Sequence, residues 1–199
     1  MTTKKNISAD HVKKLRDQTG ASVMDCKKAL EKSEGDIDKA VEYLKKSGKE
    51  KAGKKAQRAT GEGVVAAYIH SNKKIGVLVE LRCETDFVAK NSEFQELAYD
   101  VAMHVAAMDP KYLSFEQISD KDKKDYESII GEEVASQDKP ANIIEKIIEG
   151  KVKKHFEEIS LLEQSFIKNP DVTVGDMIKE KIAKIGENIQ VERMERFEI

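Results

Sequence analysis

Apolar residues fall on alternate positions from Ile75 to Cys83. Ile75, Val77, Val79, Leu81 and Cys83 share one face, while Gly76 and Leu78 leave the other only partly polar. A period of two predicts a strand covered on one side. The short apolar run Val64–His70 precedes it, and Ser71-Asn72-Lys73-Lys74 between the two predicts a hairpin with a four-residue loop. From Ser92 to about Met108 the period becomes that of a helix. Phe94, Leu97, Ala98, Val101, Ala102 and Val105 form one stripe, and Asp109-Pro110 ends it. Ser92 with Gln95 three residues later reads as a capping box. Thr85-Asp86-Phe87-Val88-Ala89-Lys90-Asn91 is thereby left in a short turn between strand and helix, where side chains project.

Residues 7–47 carry three short helical patterns. Ser8 predicts the first cap, with Ile7 and Val12 as a hydrophobic staple, Leu15 on the buried stripe and Thr19-Gly20 as the stop. Ser22 and Asp25 open the second, where Val23, Cys26 and Leu30 recur at helical spacing until Gly35. Asp36 caps the third, with Ile37, Ala40, Val41 and Leu44 on one face before Gly48. A bundle of about 40 residues buries little area and is marginal by itself. Lys49–Arg58 follows with five basic residues and one acid. This run reads either as an electrostatic footprint for nucleic acid or as a solvated, partly helical linker. No aromatic residue interleaves the charges to stack bases, which favours the linker.

Residues 116–139 are charged, balanced in sign, and predict one helix around Asp122–Ala135. Pro140 fits a first-turn position ahead of Ile143, Ile144, Ile147 and Ile148. Gly150 is expected to interrupt that helix, with Val152, Phe156 and Ile159 adding a further turn or two. Leu161–Ile167 predicts a strand or a buried extension. Thr173 and Asp176 cap a last helix that holds Met177, Ile178, Ile182 and Ile185 inside and ends at Gly186. Asn188–Ile199 alternates as a strand whose phase slips near Arg193, through a bulge or because both faces are partly covered. The expected class is α+β. A three-helix module (1–48) and a basic linker (49–62) precede a core (63–199) with three strands in one antiparallel sheet backed by helices.

Composition narrows the function classes. Of 199 residues, 39% are apolar and 36% charged, but the apolar ones are periodic, so the chain folds. A net charge of −2 creates no global field for nucleic acid or membrane. The two cysteines, Cys26 and Cys83, read as free thiols. With no secretory segment or long apolar span, a reducing cytoplasmic setting is expected. Two Cys and four scattered His have no ligand spacing, so neither a metal nor a cofactor is expected. A small enzyme built on Asp86, or on Cys83 with His70, lacks a base at motif spacing and a Gly-rich phosphate loop.

Cys83-Glu84-Thr85-Asp86-Phe87-Val88-Ala89-Lys90-Asn91 resembles the signature of the elongation factor Ts family. The likeness extends forward through Leu15-Arg16, Thr19-Gly20-Ala21, Met24–Leu30 and Gly35-Asp36. It continues behind through Ala102–Ala107, Lys139-Pro140-Ala141, Glu163–Lys168, Thr173-Val174 and Arg196-Phe197-Glu198. The resemblance implies a factor without chemistry of its own, which exchanges nucleotide on the translational GTPase elongation factor Tu. The front module would be similar to ubiquitin-associated three-helix domains and would dock on the partner's G domain. Thr19, Gly20 and Met24 lie in that module, and Met24 could face either the core or the partner. Thr85, Asp86, Phe87 and Val88 match the positions that insert beside the partner's nucleotide site and dislocate its Mg²⁺. By pattern alone Phe87 either projects from the turn as a wedge or tucks into this chain's own core; the resemblance favours the exposed wedge. Asp86 would engage polar groups near the metal or pair with a partner side chain.

The resemblance also assigns His70 to a position that touches another domain of elongation factor Tu, against the alternative of an ordinary turn histidine. Cys26 reads as a small buried apolar residue, and His104 as a satisfied core or dimer-interface residue. The chain has room for one copy of the hairpin-and-helix unit and resembles the short form of the family, which works as a homodimer. Glu195 stands where some short members carry a linking Cys, so the implied dimer is non-covalent. No membrane partner and no direct nucleic-acid partner are expected, RNA binding through the basic run being the rival class.

Overall fold

The structure, a computed structural model, describes residues 7–135 and 140–199. Lys139 of the Lys139-Pro140-Ala141 match lies outside them. Side-chain caps set the register of the first helices. Ser8 accepts from the His11 amide at 3.3 Å ahead of α1 (Ala9–Thr19). Ser22 accepts from Asp25 at 3.1 Å ahead of α2 (Val23–Lys32), and Asp36 from Lys39 at 3.0 Å ahead of α3 (Ile37–Lys55). Leu15, Cys26, Ala29, Leu30 and Ala40 are fully buried among them, with Ile7, Val12, Val41 and Leu44 packed around. Val23 is not in that core. It occupies the first position of α2, with no preceding turn to pack against, and stands half exposed.

The third helix does not stop at Gly48 but runs on to Lys55. Gly48 has no positive φ, so nothing in the backbone ends the helix there. A Cβ at this position would stand 3.2 Å from the Ala183 Cβ, so the glycine serves a close helix approach.

Three strands follow the sequence pattern: β1 (Glu62–Ile69), β2 (Ile75–Cys83) and β5 (Ile189–Glu198), in antiparallel order β1-β2-β5. The His70 amide closes the hairpin on the Ile75 carbonyl at 2.9 Å. Val77, Val79, Leu81 and Cys83 are buried as the alternation requires. The phase of β5 does slip near Arg193: Ile189 and Val191 are covered, Glu192 and Arg193 are both exposed, and beyond them Met194 and Arg196 take the covered positions. The Arg196 stem is largely covered, and its Nε donates to the Ala106 carbonyl at 3.3 Å. Phe197 and Ile199 are consequently exposed.

Between β2 and β5 lie α4 (Asp86–Ala89), α5 (Ser92–Met108), α6 (Asp120–Ala135), α7 (Ala141–Ile159), β3 (Ser165–Phe166), β4 (Asn169–Thr173) and α8 (Val174–Ile185). The interruption expected at Gly150 is absent; α7 is continuous across it and packs on α6. A helical glycine costs about 1 kcal/mol against alanine, less than the burial of neighbours such as Phe156 returns. β3 falls within Leu161–Ile167, read as a strand or buried extension, whereas β4 and the second sheet that the two form were not anticipated. Asn169-Pro170-Asp171 has no apolar alternation, and its proline is tolerated because a two-stranded ribbon has only edges.

The chain divides into two compact units. One comprises the residues up to Val64 with Leu81–Gln95 and Asp176–Gln190; the other comprises Val65–Glu80, Glu96–Gly175 and Val191–Ile199. In the second, His104 is fully buried on α5. Its Nε2 pairs with Gln164 Oε1 at 2.9 Å, and its Nδ1 accepts from the Ile167 amide at 3.3 Å, which specifies the neutral ring. Burial pushes its pKa below the ordinary 6.5. A depressed histidine contributes stability that is complete above the unfolded value and is lost as pH falls through the folded one, because the unfolded ring takes up a proton first. Chemical denaturation of wild type should therefore show lower stability at about pH 5.5 than at about pH 7.5. His104→Gln should lose that part of the slope; equal slopes for the two proteins would refute the assignment.

Candidate functional site

The short turn read between strand and helix is itself a single turn of helix, α4. Thr85 takes an extended N-cap conformation (φ −128°, ψ 155°), and its Oγ1 accepts from the Val88 amide at 3.5 Å, starting α4. One turn is too short to persist by its own hydrogen bonds, so tertiary contacts must hold it. Ala89 is buried beneath it. Residues two apart on a helix point some 200° from one another. Burying Ala89 therefore turns Phe87 outward, and its ring is 81% exposed. Its sequence neighbours Asp86 and Val88 are partly covered.

Asp86 pairs with Lys90 Nζ at 2.7 Å across one turn. The hydrogen bond from Lys90 holds the Asp86 carboxyl below the usual carboxylate range, and the same bond raises the Lys90 ammonium. The cap of α5 also differs from the capping box expected at Ser92. Asn91 Oδ1 accepts from the Glu93 amide at 2.8 Å, and Gln95 reaches back to the Ala89 carbonyl at 3.2 Å.

The base of the turn is held by residues that the sequence reading did not single out. Glu187 accepts from the amides of Glu84 and Thr85 at 3.1 and 3.0 Å and from the Thr85 hydroxyl at 2.7 Å. Glu84 in turn accepts from the Asn188 amide at 2.6 Å. The available signal was Gly186, whose φ of 94° ends α8 and sends the next residues back toward the sheet. Because β5 runs antiparallel to β2, its entrance lies beside the exit of β2. Cys83 completes the base, donating from Sγ to the Thr85 carbonyl at 3.2 Å. Burial first, and the nearby Glu187 carboxylate second, push its thiol up to about 11, so it stays protonated and unreactive.

Thr19, Gly20 and Met24 belong to the same unit as this turn, whereas His70 belongs to the other. Thr19 is internally committed: its hydroxyl donates to the Leu15 carbonyl at 2.7 Å and accepts from the Ala21 amide. It also lines a cavity of about 370 Å³ with Ala21, Val41, Leu44, Gly48 and Ala183. Gly20 caps α1 with φ 67°. Met24 faces solvent, 74% exposed, which settles its direction away from the core. His70 is half-buried and lies 3.3 Å from the Tyr68 hydroxyl through Nδ1.

Several lysines of the basic run have internal duties. Lys51 pairs with Asp25, Lys49 with Asp176 at 2.7 Å, and Lys55 donates to the Gly186 carbonyl. Among the described residues no helix is long and apolar enough to cross a membrane, and no group of three or more His, Cys, Asp or Glu could hold a metal ion.

The family model for elongation factor Ts matches residues 4–182. The chain belongs to the elongation factor Ts family. An elongation factor Ts of Thermosipho melanesiensis is 56% identical over 193 residues, covering 97% of this chain and 98% of that protein. Those of Thermotoga maritima and Carboxydothermus hydrogenoformans are 52% and 51% identical, each over 97% of this chain and over 96% and 89% of their own lengths. Membership of the elongation factor Ts family gives the chain a role in the elongation stage of protein biosynthesis.

Proposed function

We propose that this elongation factor Ts homologue is the guanine nucleotide exchange factor for elongation factor Tu, and that the Thr85–Val88 turn is its working edge. It binds the GDP-loaded GTPase, disturbs the Mg²⁺ and phosphate site and speeds GDP release so that GTP can enter. The observation that carries this reading is the outward ring of Phe87, 81% exposed on a turn whose base is clamped. A large apolar side chain held rigidly in water suits an anchor for an apolar pocket on a partner. Mg²⁺ demands near-ideal octahedral geometry, so a small displacement of the loop around it is costly. A factor that prefers the nucleotide-free conformation weakens nucleotide binding by the same factor that nucleotide weakens its own. No bond is made or broken by the factor itself.

In this mechanism Phe87 enters between G-domain helices while Asp86 exchanges its Lys90 partner for polar groups near the metal. Thr85 and Val88 keep the turn in shape. The N-terminal module, residues 1–48, docks first, with Met24 as an exposed contact, and His70 supplies a second contact elsewhere on the GTPase. The setting is cytoplasmic, in keeping with the two buried free thiols. Release of a fluorescent GDP analogue from elongation factor Tu tests the proposal: the wild-type chain should accelerate it many-fold, and a rate equal to that of buffer alone would refute it.

The protein also acts as a non-covalent homodimer through the exposed face of its three-stranded sheet. Val65, Ile69, Leu78 and Phe197 stand in solvent there, an apolar cluster of the kind that a second copy would cover. Leu78→Glu should shift the sedimentation mass from dimer to monomer; a dimer of unchanged stability would dismiss this face as the interface.

A further inference from the structure

We infer that Glu187 is a positioning residue for nucleotide exchange, one that aims the Phe87 turn without touching the partner. This rests on the exchange reading above. Three donors converge on its carboxylate: the Glu84 and Thr85 amides on Oε2 at 3.1 and 3.0 Å, and the Thr85 hydroxyl on Oε1 at 2.7 Å. Two consecutive amides on one oxygen fix the orientation of the peptide that leads into α4. The third bond fixes the Thr85 side chain, whose oxygen also caps α4 by accepting from Val88. Bonds to an ionised acceptor are roughly twice as strong as neutral ones, so this is the firmest hold on a one-turn helix. Phe87 itself, being exposed, contributes no packing that could keep the turn in place.

The neighbouring residue extends the clamp. Asn188 is buried; its amide donates to Glu84 Oε1 at 2.6 Å, and its Nδ2 donates to the carbonyls of Ala56 and Arg58 at 3.3 and 2.8 Å. Ala56 is the C-cap of α3, the helix that closes the N-terminal module. The dipeptide Glu187-Asn188 thus ties the exit of the docking module and the base of the wedge to the same short segment. Contact energy gained at the module then reaches the turn through a few short hydrogen bonds and not through a slack loop. Orientation of this kind is worth much: a misplacement of about 1 Å can cost on the order of a hundredfold in rate.

Stopped-flow release of fluorescent GDP from elongation factor Tu, over a range of factor concentrations, tests the role. Glu187→Ala should lower the saturating release rate about tenfold while the half-saturating concentration moves less. Glu187→Gln retains a carbonyl oxygen for the two amides and should return to within about threefold of wild type. Thr85→Val removes the hydroxyl donor and should also slow saturated release, and the Thr85→Val/Glu187→Ala double variant should lose less than the sum of the two single losses. Additive losses, or a saturating rate per folded molecule equal to wild type in Glu187→Ala, would overturn the inference. If Glu187→Ala fails to fold, Thr85→Val decides, an unchanged saturating rate ruling the role out. A wild-type chain that leaves GDP release unaccelerated sinks the exchange reading itself, an outcome distinct from wild type and variants being equally active.

Discussion

Replacing Phe87 by alanine should leave the protein folded and weaken its hold on elongation factor Tu by about 2–4 kcal/mol, the usual size for an aromatic anchor buried at an interface. The fold has little to lose, because the ring is 81% exposed and packs no core. The residues that hold the turn, Glu187, Thr85 and buried Ala89, are all retained. Alanine is also the better helix former, so α4 is not penalised. An affinity loss of that size corresponds to a factor of roughly 30 to 1,000 in Kd. The thermal midpoint of Phe87→Ala should lie within a few degrees of wild type, while its acceleration of GDP release collapses at sub-saturating concentration. Release at the wild-type rate would remove Phe87 from the working edge altogether.

Phe94→Ala is the opposite experiment on the same side chain seven positions later. Phe94 is fully buried at the start of α5 and is among the largest fully buried side chains of the molecule. Truncation removes its transfer free energy and leaves a cavity, a combined cost of about 3–5 kcal/mol. Domains of this size have only about 5–15 kcal/mol in hand, so the variant should unfold at much lower urea and melt far earlier. An unfolding free energy within about 1 kcal/mol of wild type would contradict the burial of this ring. The two phenylalanines differ in the helix that carries them and in the face on which they lie. One follows a cap that turns it to water, and the other lies on the inward stripe that continues through Leu97, Ala98 and Val101.

Much of the architecture was legible because it is written in local rules. Ser8, Ser22 and Asp36 each cap the helix they announce, and those caps act within three residues. The alternation of β2 and the stripe of α5 each place their apolar residues inside, since a period in sequence is a face in space. Misreadings cluster where a local signal had two meanings. Gly48 and Gly150 look like helix stops, yet neither adopts a positive φ: one admits a neighbouring helix and the other is carried by the packing of α7 on α6. Phe197 and Ile199 look like a return to the covered side of β5, yet both are exposed, because after the slip at Arg193 the inward place falls to Arg196.

By itself the amino-acid sequence determined the α+β class, the three capped front helices, the central hairpin and the family, all of which follow from short-range periodicity and motif identity. Only the tertiary structure decided which way Phe87 points, that Met24 faces water, and that Glu187 grips a turn about a hundred residues earlier, as the 102-residue separation of its bond with Thr85 records. The last of these depends on β5 lying beside β2, a long-range pairing that leaves no periodic trace in either strand. A carboxylate finds distant amides only after the chain has closed on itself.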